Sequence, residues 1–125
     1  MRILFLILAI LCCINTYAAE TRCGWLENPS PANVWLIDKD ASWTITMQGM
    51  VFIDDKSNDL VFKAMNNENE FVITNRHYGF SCACLTVDTD KKTQQIKKVY
   101  KSKQLLLKTC LEDISITKDI PLRYK

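Results

Sequence analysis

The stretch GFSCACLTV, residues 79–87, places two cysteines two positions apart in an otherwise apolar run. Successive side chains along a β-strand point to opposite faces, so Cys82 and Cys84 share one face while Ala83 and Leu85 share the other. A run that is apolar on both faces is typical of a central strand. We therefore predict that this strand lies in the middle of the fold and that its two sulfurs fasten other parts of the chain to it.

The amino-terminal segment has the layout of a secretory signal peptide. Arg2 is followed by an uninterrupted apolar run over residues 3–14 and by a small residue, Ala18, at the expected cleavage site. The run is shorter than the roughly 20 residues that cross a bilayer. We predict a signal peptide over residues 1–18 and a single domain over 19–125. The mature chain would be periplasmic or secreted and would lack a transmembrane segment.

Four cysteines remain after removal of such a signal: Cys23, Cys82, Cys84 and Cys110. An even number in a small exported chain indicates disulfides, because these compartments are oxidising. A bond between Cys82 and Cys84 would close a strained ring, so one should pair with Cys23 and the other with Cys110. Both such connectivities stay open. A zinc site needs more cysteine or histidine ligands than one C-x-C supplies, so we expect neither a metal nor a cofactor.

Short apolar or alternating segments bounded by turn residues run through most of the chain. They predict strands at residues 34–37, 42–47, 50–53, 71–74 and 78–87. Pro29 and Pro31 predict an extended turn over residues 28–31. The fold class that follows is all-β or β-rich: a small antiparallel sandwich or partial barrel, stapled by two disulfides.

Three further segments complete this assignment. Residues 54–70 are polar around a small apolar island, which favours a surface loop or a single helical turn capped at residue 58 or 59. Residues 94–109 have both strand and helix features, and we favour strand. Edge strands are predicted in the tail at residues 113–117 and 120–124.

Charge is unevenly distributed along the chain. Residues 19–75 carry nine acidic and four basic side chains, a net charge of −5, whereas residues 76–125 carry eleven basic and five acidic ones, a net charge of +6. Either the halves neutralise each other, or the second half exposes a basic surface to an acidic protein or anionic envelope component. The mature chain is nearly neutral overall and exported, so we expect no nucleic-acid partner.

Two groups of residues are candidates for a binding surface. The first is the set of lysines at Lys97, Lys98, Lys101 and Lys103, for which protection of a strand edge is the simpler explanation. The second is tryptophan, which is favoured both in small β cores and at binding hot spots. We assign Trp43 to the core and include Trp25 in the candidate surface.

His77 is the only histidine and the only side chain that ordinarily titrates near neutrality. With a nearby acid it could serve a small periplasmic enzyme. The neighbouring cysteines are required for disulfides, however, and no motif of the G-x-S-x-G kind is present. We predict no catalytic residue and favour a non-enzymatic function.

Separate motifs together resemble one known family. They are Arg22-Cys23-Gly24-Trp25, Asn28-Pro29, Trp43-Thr44-Ile45, the segment Tyr78-Gly79-Phe80-Ser81-Cys82-Ala83-Cys84-Leu85, and Cys110. This combination resembles a bacterial secreted family catalogued as domain of unknown function 4087, over roughly residues 22–111. The resemblance implies export and a four-cysteine framework. It supplies no catalytic residue, because the family has no assigned activity.

The sequence as a whole favours an exported, non-enzymatic binding module of the bacterial envelope. An inhibitor or immunity protein against a secreted toxin or wall hydrolase is the most concrete form of this hypothesis. Two alternatives stay open: a small periplasmic enzyme that uses His77 with a nearby acid, and a structural envelope protein.

Overall fold

The computed structural model describes residues 19–116, in which seven strands and two helices are found. The strands are β1 (Glu20–Ser30), β2 (Asn33–Ile37), β3 (Ser42–Met47), β4 (Met50–Val51), β5 (Phe71–Asn75), β6 (Tyr78–Asp90) and β7 (Gln95–Leu105). The helices are α1 (Asp55–Lys63) and α2 (Leu107–Leu111), and a short 3₁₀ turn covers Glu68–Glu70. The predicted signal peptide and the predicted strand at residues 120–124 lie outside the described residues.

Five of these strands close into a barrel. The order is β1, β2, β3, β7, β6, and β6 pairs back with β1. All of these pairs are antiparallel except β3 with β7, which meet at Thr44 and Gln95. This connectivity, with a helix after the third barrel strand, is that of the OB-fold, a five-stranded Greek-key barrel. The predicted β-rich fold is confirmed in its barrel form, but the sheet is mixed and not purely antiparallel, because β3 and β7 are parallel.

Side chains of β6 point alternately to the inner and outer faces of the sheet, and each face carries its own hydrophobic core. Ala83, Leu85 and Val87 point into the barrel, whereas Phe80 and Cys82 point outward. The barrel interior is filled by Leu26, Val34, Leu36, Trp43, Ile45, Ala83, Leu85, Val87, Ile96 and Val99. Since β6 pairs with β1, β5 and β7, its predicted central position is confirmed.

Helix α1 packs against β7 and adds Val61 and Ala64 to the interior core. It begins at Asp54, whose carboxylate accepts a hydrogen bond from the backbone N–H of Ser57 at 2.7 Å. The buried Ser57 hydroxyl accepts from the Val99 N–H at 2.9 Å and donates to the Val99 carbonyl at 3.3 Å. The backbone of β7 is therefore satisfied by α1 at this point.

The outer face of β1 and β6 carries a second, smaller core. It contains Trp25, Phe80, Cys82, Cys110 and Ile116. Helix α2 and the turn that follows it lie over this patch, and partly buried leucines of α2 complete it. This part of the outer sheet surface is thus removed from water.

The four cysteines of the described residues form two disulfides, Cys23–Cys84 and Cys82–Cys110. Cys23 lies directly opposite Cys84 in the pairing of β1 with β6, so the first bond joins neighbouring strands. The second fastens α2 to the outer face of β6. Of the two connectivities that the sequence left open, the structure has this one.

Three sequence predictions are wrong. Residues 55–63 form a nine-residue helix rather than a loop or single turn, because their apolar island faces the barrel and Asp54 caps it. The strand β1 continues through the predicted turn as far as Ser30, with Pro29 at an irregularity in its pairing with β2. Residues 113–116 form turns and not a strand, with a hydrogen bond from the Ile116 N–H to the Asp113 carbonyl at 3.1 Å.

Residues 94–109 divide between the two structures that were weighed for them. The favoured strand is confirmed over Gln95–Leu105, and the last part of the segment begins helix α2 at Leu107.

Gly24 is required where β1 passes close to β2. A Cβ atom at this position would lie 1.9 Å from the backbone carbonyl oxygen of Ile37, and a backbone atom cannot swing aside. We expect Gly24→Ala to destabilise the protein by about 3 kcal/mol, at the upper end for overpacking, in urea unfolding. Thr21→Ala, on the same strand but exposed, is the control and should change little. Equal stabilities of the two variants would contradict this account.

Candidate functional site

An ion cluster centred on the buried residues Arg22 and Asp38 lies beside Trp43. The Arg22 guanidinium binds the carboxylate of Asp38 at 2.7 Å and those of Glu20 and Asp40 at 3.1 Å each. The central carbon of the guanidinium lies 3.9 Å from the centre of the Trp43 ring, in cation–π geometry. Both partners of the shortest pair, Arg22 and Asp38, are buried.

Asp38 is held in its ionised form by several donors. Its carboxylate accepts hydrogen bonds from the Trp43 indole at 3.0 Å and from the backbone N–H groups of Asp40 and Ala41 at 2.8 and 2.9 Å. Burial alone would raise the pKa of Asp38, but these bonds and that from Arg22 outweigh it, so the pKa lies below its usual range. A carboxylate with this many hydrogen-bond donors stabilises the fold and is poorly placed to accept a proton from a substrate.

The R-C-G-W motif is therefore explained by folding. Arg22 pairs with Asp38 inside the barrel, Cys23 forms a disulfide outside it, and Gly24 permits close approach of β2. Trp25 is fully buried, with its ring edge against Phe80 at 5.4 Å between centroids. The inclusion of Trp25 in a binding surface is wrong, because α2 and the second core cover it.

The ion cluster makes stability depend on pH in a defined direction. Because the folded-state pKa of Asp38 is lowered, its stabilising effect is complete above its unfolded pKa of about 3.9 and is lost as the pH falls through the folded value. We expect Asp38→Asn to cost about 3 kcal/mol at pH 7, since it leaves Arg22 buried without its partner. The difference from the unmodified protein should shrink below about pH 4.

Urea unfolding at a series of pH values measures this difference. Asp40→Asn is the matched control, because its carboxyl is exposed and binds the same guanidinium. A loss for Asp38→Asn that stays constant down to pH 3 would contradict the assignment.

A separate concave surface, the apolar cleft, lies between α1 and β5. It has a volume of 530 Å³, and its walls include Phe62, Met65, Phe71 and Ile73 with Glu68 and His77. His77 is exposed in the turn between β5 and β6, with its ring 4.2 Å from that of Tyr78. It makes no hydrogen bond to another described residue. The cleft therefore has His77 and Glu68 in its lining. His77 is not hydrogen-bonded to a nucleophile there, as a catalytic base would be.

Glu27 was not foreseen as a functional candidate. It accepts a hydrogen bond from the Trp35 indole, and burial raises its pKa despite that bond. No second titratable group is hydrogen-bonded to it within the described part of the chain. The alternation of side chains along β1 could have indicated which face Glu27 occupies. Its partner Trp35 on β2 could not be identified, because that contact depends on the register between the two strands.

The lysines of β7 form a line on the outer face of the barrel. Lys98, Lys101 and Lys103 lie opposite Asp88, Thr86 and Cys84 of β6. These β6 residues alternate along their strand, so the three lysines share its outer face. We call them the lysine row.

An irregularity of β7 produces this alignment. Lys98 and Lys101 are three positions apart and would face opposite sides of a regular strand. Tyr100 is an extra residue between the pairs of Thr86 with Lys101 and Val87 with Val99, so the two lysines return to one side. Lys97 is extra in the same way, and its ammonium lies 5.7 Å from the centre of the Phe52 ring, apart from the row.

None of the three lysines of the row forms an ion pair with a described residue. Every ion pair between described residues lies within Glu20–Asp40. All three lysines of the row are exposed. Asp88 is the nearest opposed carboxylate by register, and it accepts a hydrogen bond from the Tyr100 hydroxyl at 2.5 Å. Among the described residues, the acidic first half of the chain (19–75) and the basic second half (76–116) therefore do not neutralise each other through direct ion pairs.

The Cys23–Cys84 disulfide borders the lysine row. Cys23 is exposed and Lys103 lies beside Cys84, whereas Cys82 and Cys110 are buried. We expect a low concentration of dithiothreitol, without denaturant, to open Cys23–Cys84 first, because attack requires access to a sulfur. Mass spectrometry of alkylated peptides would identify the labelled cysteines. Earlier or simultaneous labelling of Cys82 and Cys110 would contradict this order.

Other site types are not assembled in the described residues. No group of three or more His, Cys, Asp or Glu side chains there is arranged to hold a metal ion. No helix between residues 19 and 116 is long and apolar enough to cross a membrane.

Comparison with known proteins yields one match. The sequence model of a family described as "Protein of unknown function (DUF4087)" matches residues 17–117, which is most of the chain. No curated protein and no solved structure matches. The two halves of the resemblance seen in the sequence both lie within the matched region.

Proposed function

We propose that this chain, which belongs to the family described as Protein of unknown function (DUF4087), is an exported binding module that holds an anionic partner through its lysine row. The family description assigns no activity, and the support for a function comes from the surface of the protein. A fold of this kind serves many functions and cannot decide between them.

One observation carries the proposal: Lys98, Lys101 and Lys103 stand in line on the outer face, exposed and without an ion-paired carboxylate. Like charges side by side on a sheet repel one another and lower stability slightly. An anionic partner would relieve that repulsion and gain attraction from each ammonium. Such surfaces also speed association by long-range attraction.

Edge protection is the simpler explanation for strand lysines, and the structure weakens it here. Lysines guard an edge whose backbone groups are open to another chain. At Val99, between two lysines of the row, both backbone groups already bind the Ser57 hydroxyl of α1. The charges thus stand beside a covered part of β7.

Export is supported by the disulfides and by the amino-terminal sequence. Two disulfides in a small domain are characteristic of oxidising compartments. Residues 1–18 have the layout of a secretory signal, which supports a periplasmic or secreted location. In that setting, an inhibitor or immunity protein against a toxin or wall hydrolase is the concrete form of the proposal.

The rival function is an enzyme at the apolar cleft. The observation in its favour is that His77 and Glu68 line the same cavity. Against it, His77 has no hydrogen-bonded partner among the described residues that would orient it or receive its proton. A purely structural role in the envelope is the third possibility, and it requires neither surface.

The proposal is tested by removing charge from the lysine row. We expect the double variant Lys101→Gln/Lys103→Gln to bind dextran sulfate more weakly than the unmodified protein, by up to about thirtyfold, since each exposed charge pair contributes up to about 1 kcal/mol. Isothermal titration at two salt concentrations measures affinity and screening.

The control is Lys63→Gln/Lys108→Gln, which removes the same charge from exposed sites on α1 and α2. It should retain affinity within about twofold, because these sites lie off the row. Equal losses in both double variants would show a general charge effect and contradict a dedicated surface.

A further inference from the structure

We infer that the lysine row receives an extended acidic segment of a partner protein, with carboxylates at alternate residues. This inference rests on the proposed function and names the partner of the same surface. It excludes compact anions and helices as the preferred ligand.

The repeat of the row is the first argument. Lys98, Lys101 and Lys103 are in register with every second residue of β6. Successive members are therefore separated by about 7 Å along the sheet, twice the rise of one strand residue. An extended peptide has the same repeat, so acidic side chains at positions i, i+2 and i+4 would each face one ammonium.

Other anionic arrangements match the row less well. A contiguous run of three acids in an extended segment turns its middle carboxylate away from the sheet. On a helix, the side chains that share a face are three or four residues apart, about 5–6 Å between their Cβ atoms, and wind around the axis. The row favours a strand-like ligand over both.

The surroundings of the row also suit an extended peptide. Thr86 and Thr21 lie on the same outer face, and their hydroxyls are 3.3 Å from each other. They offer neutral hydrogen-bonding groups beside Lys101 to the residues between carboxylates. The part of the face that α2 covers sets one limit of the surface near Lys103.

Asp88 weakens the positive charge at the other end of the row. It lies opposite Lys98, and the Tyr100 hydroxyl donates to its carboxylate. Its charge reduces the attraction of Lys98 for an incoming carboxylate. Lys101 and Lys103, which face Thr86 and Cys84, should therefore contribute most of the binding.

Three probes test the inference on the disulfide-bonded protein. The first is a peptide with aspartate at alternate positions and serine between, the second has the same composition with its aspartates contiguous, and the third is dextran sulfate. Isothermal titration gives the affinity of each. We expect the alternating peptide to bind at least about fivefold more tightly than the contiguous one.

Variants locate the binding. Lys101→Gln/Lys103→Gln should abolish the preference for the alternating peptide, and Lys63→Gln/Lys108→Gln should preserve it. Asp88→Asn should strengthen binding of the alternating peptide, because it removes the opposing charge beside Lys98. Circular dichroism checks that each variant is folded.

The possible outcomes separate the inference from the proposed function. Equal affinity for both peptides, with binding of dextran sulfate that needs the row, would overturn the extended segment and leave a general anion surface. Tight binding of dextran sulfate with no binding of either peptide would do the same. No binding of any probe would overturn both.

Discussion

The pairing of β1 with β6 is the constraint on which the rest of the structure depends. It runs from Glu20 opposite Val87 to Asn28 opposite Gly79 and closes the barrel. Because side chains alternate along β1, this one pairing sends Arg22 inward to Asp38 and Trp43 and places the Cys23 sulfur outside against Cys84. The disulfide therefore fastens β1 to β6 outside the barrel, and the ion pair fastens β1 to the turn between β2 and β3 inside it.

The seam also divides the outer surface into two regions with different roles. Below Cys84, Trp25 and Cys82 are covered by α2, which the second disulfide holds in place. Above it, the surface is exposed and carries the lysine row. The R-C-G-W motif thus accounts for folding, and the proposed binding surface lies on a neighbouring strand. Two groups of the motif are already engaged within the protein, since Arg22 is paired with Asp38 and Cys23 is bonded to Cys84.

The sequence predicted the parts of this arrangement that follow from local pattern. Alternation identified β6 and the common face of Cys82 and Cys84, and the lysines were recognised as a candidate surface. It failed for β1, where the burial of Arg22 depends on its contacts with Asp38 and Trp43, which are distant in sequence. The alignment of Lys98 with Lys101 was equally hidden, since an extra residue in one strand is defined only by its partner strand. Trp25 was misjudged because a tryptophan after Cys-Gly is covered or exposed according to where a distant helix docks.

Binding on the outer face of β7, with no role for the apolar cleft, is the central claim. Backbone amide shifts recorded by NMR while the alternating acidic peptide is added would test this most directly. We expect the largest changes at Lys101, Lys103 and Thr86, with the amides of Phe62, Ile73 and His77 unchanged. Changes centred on the cleft, with the row unaffected, would contradict the central claim.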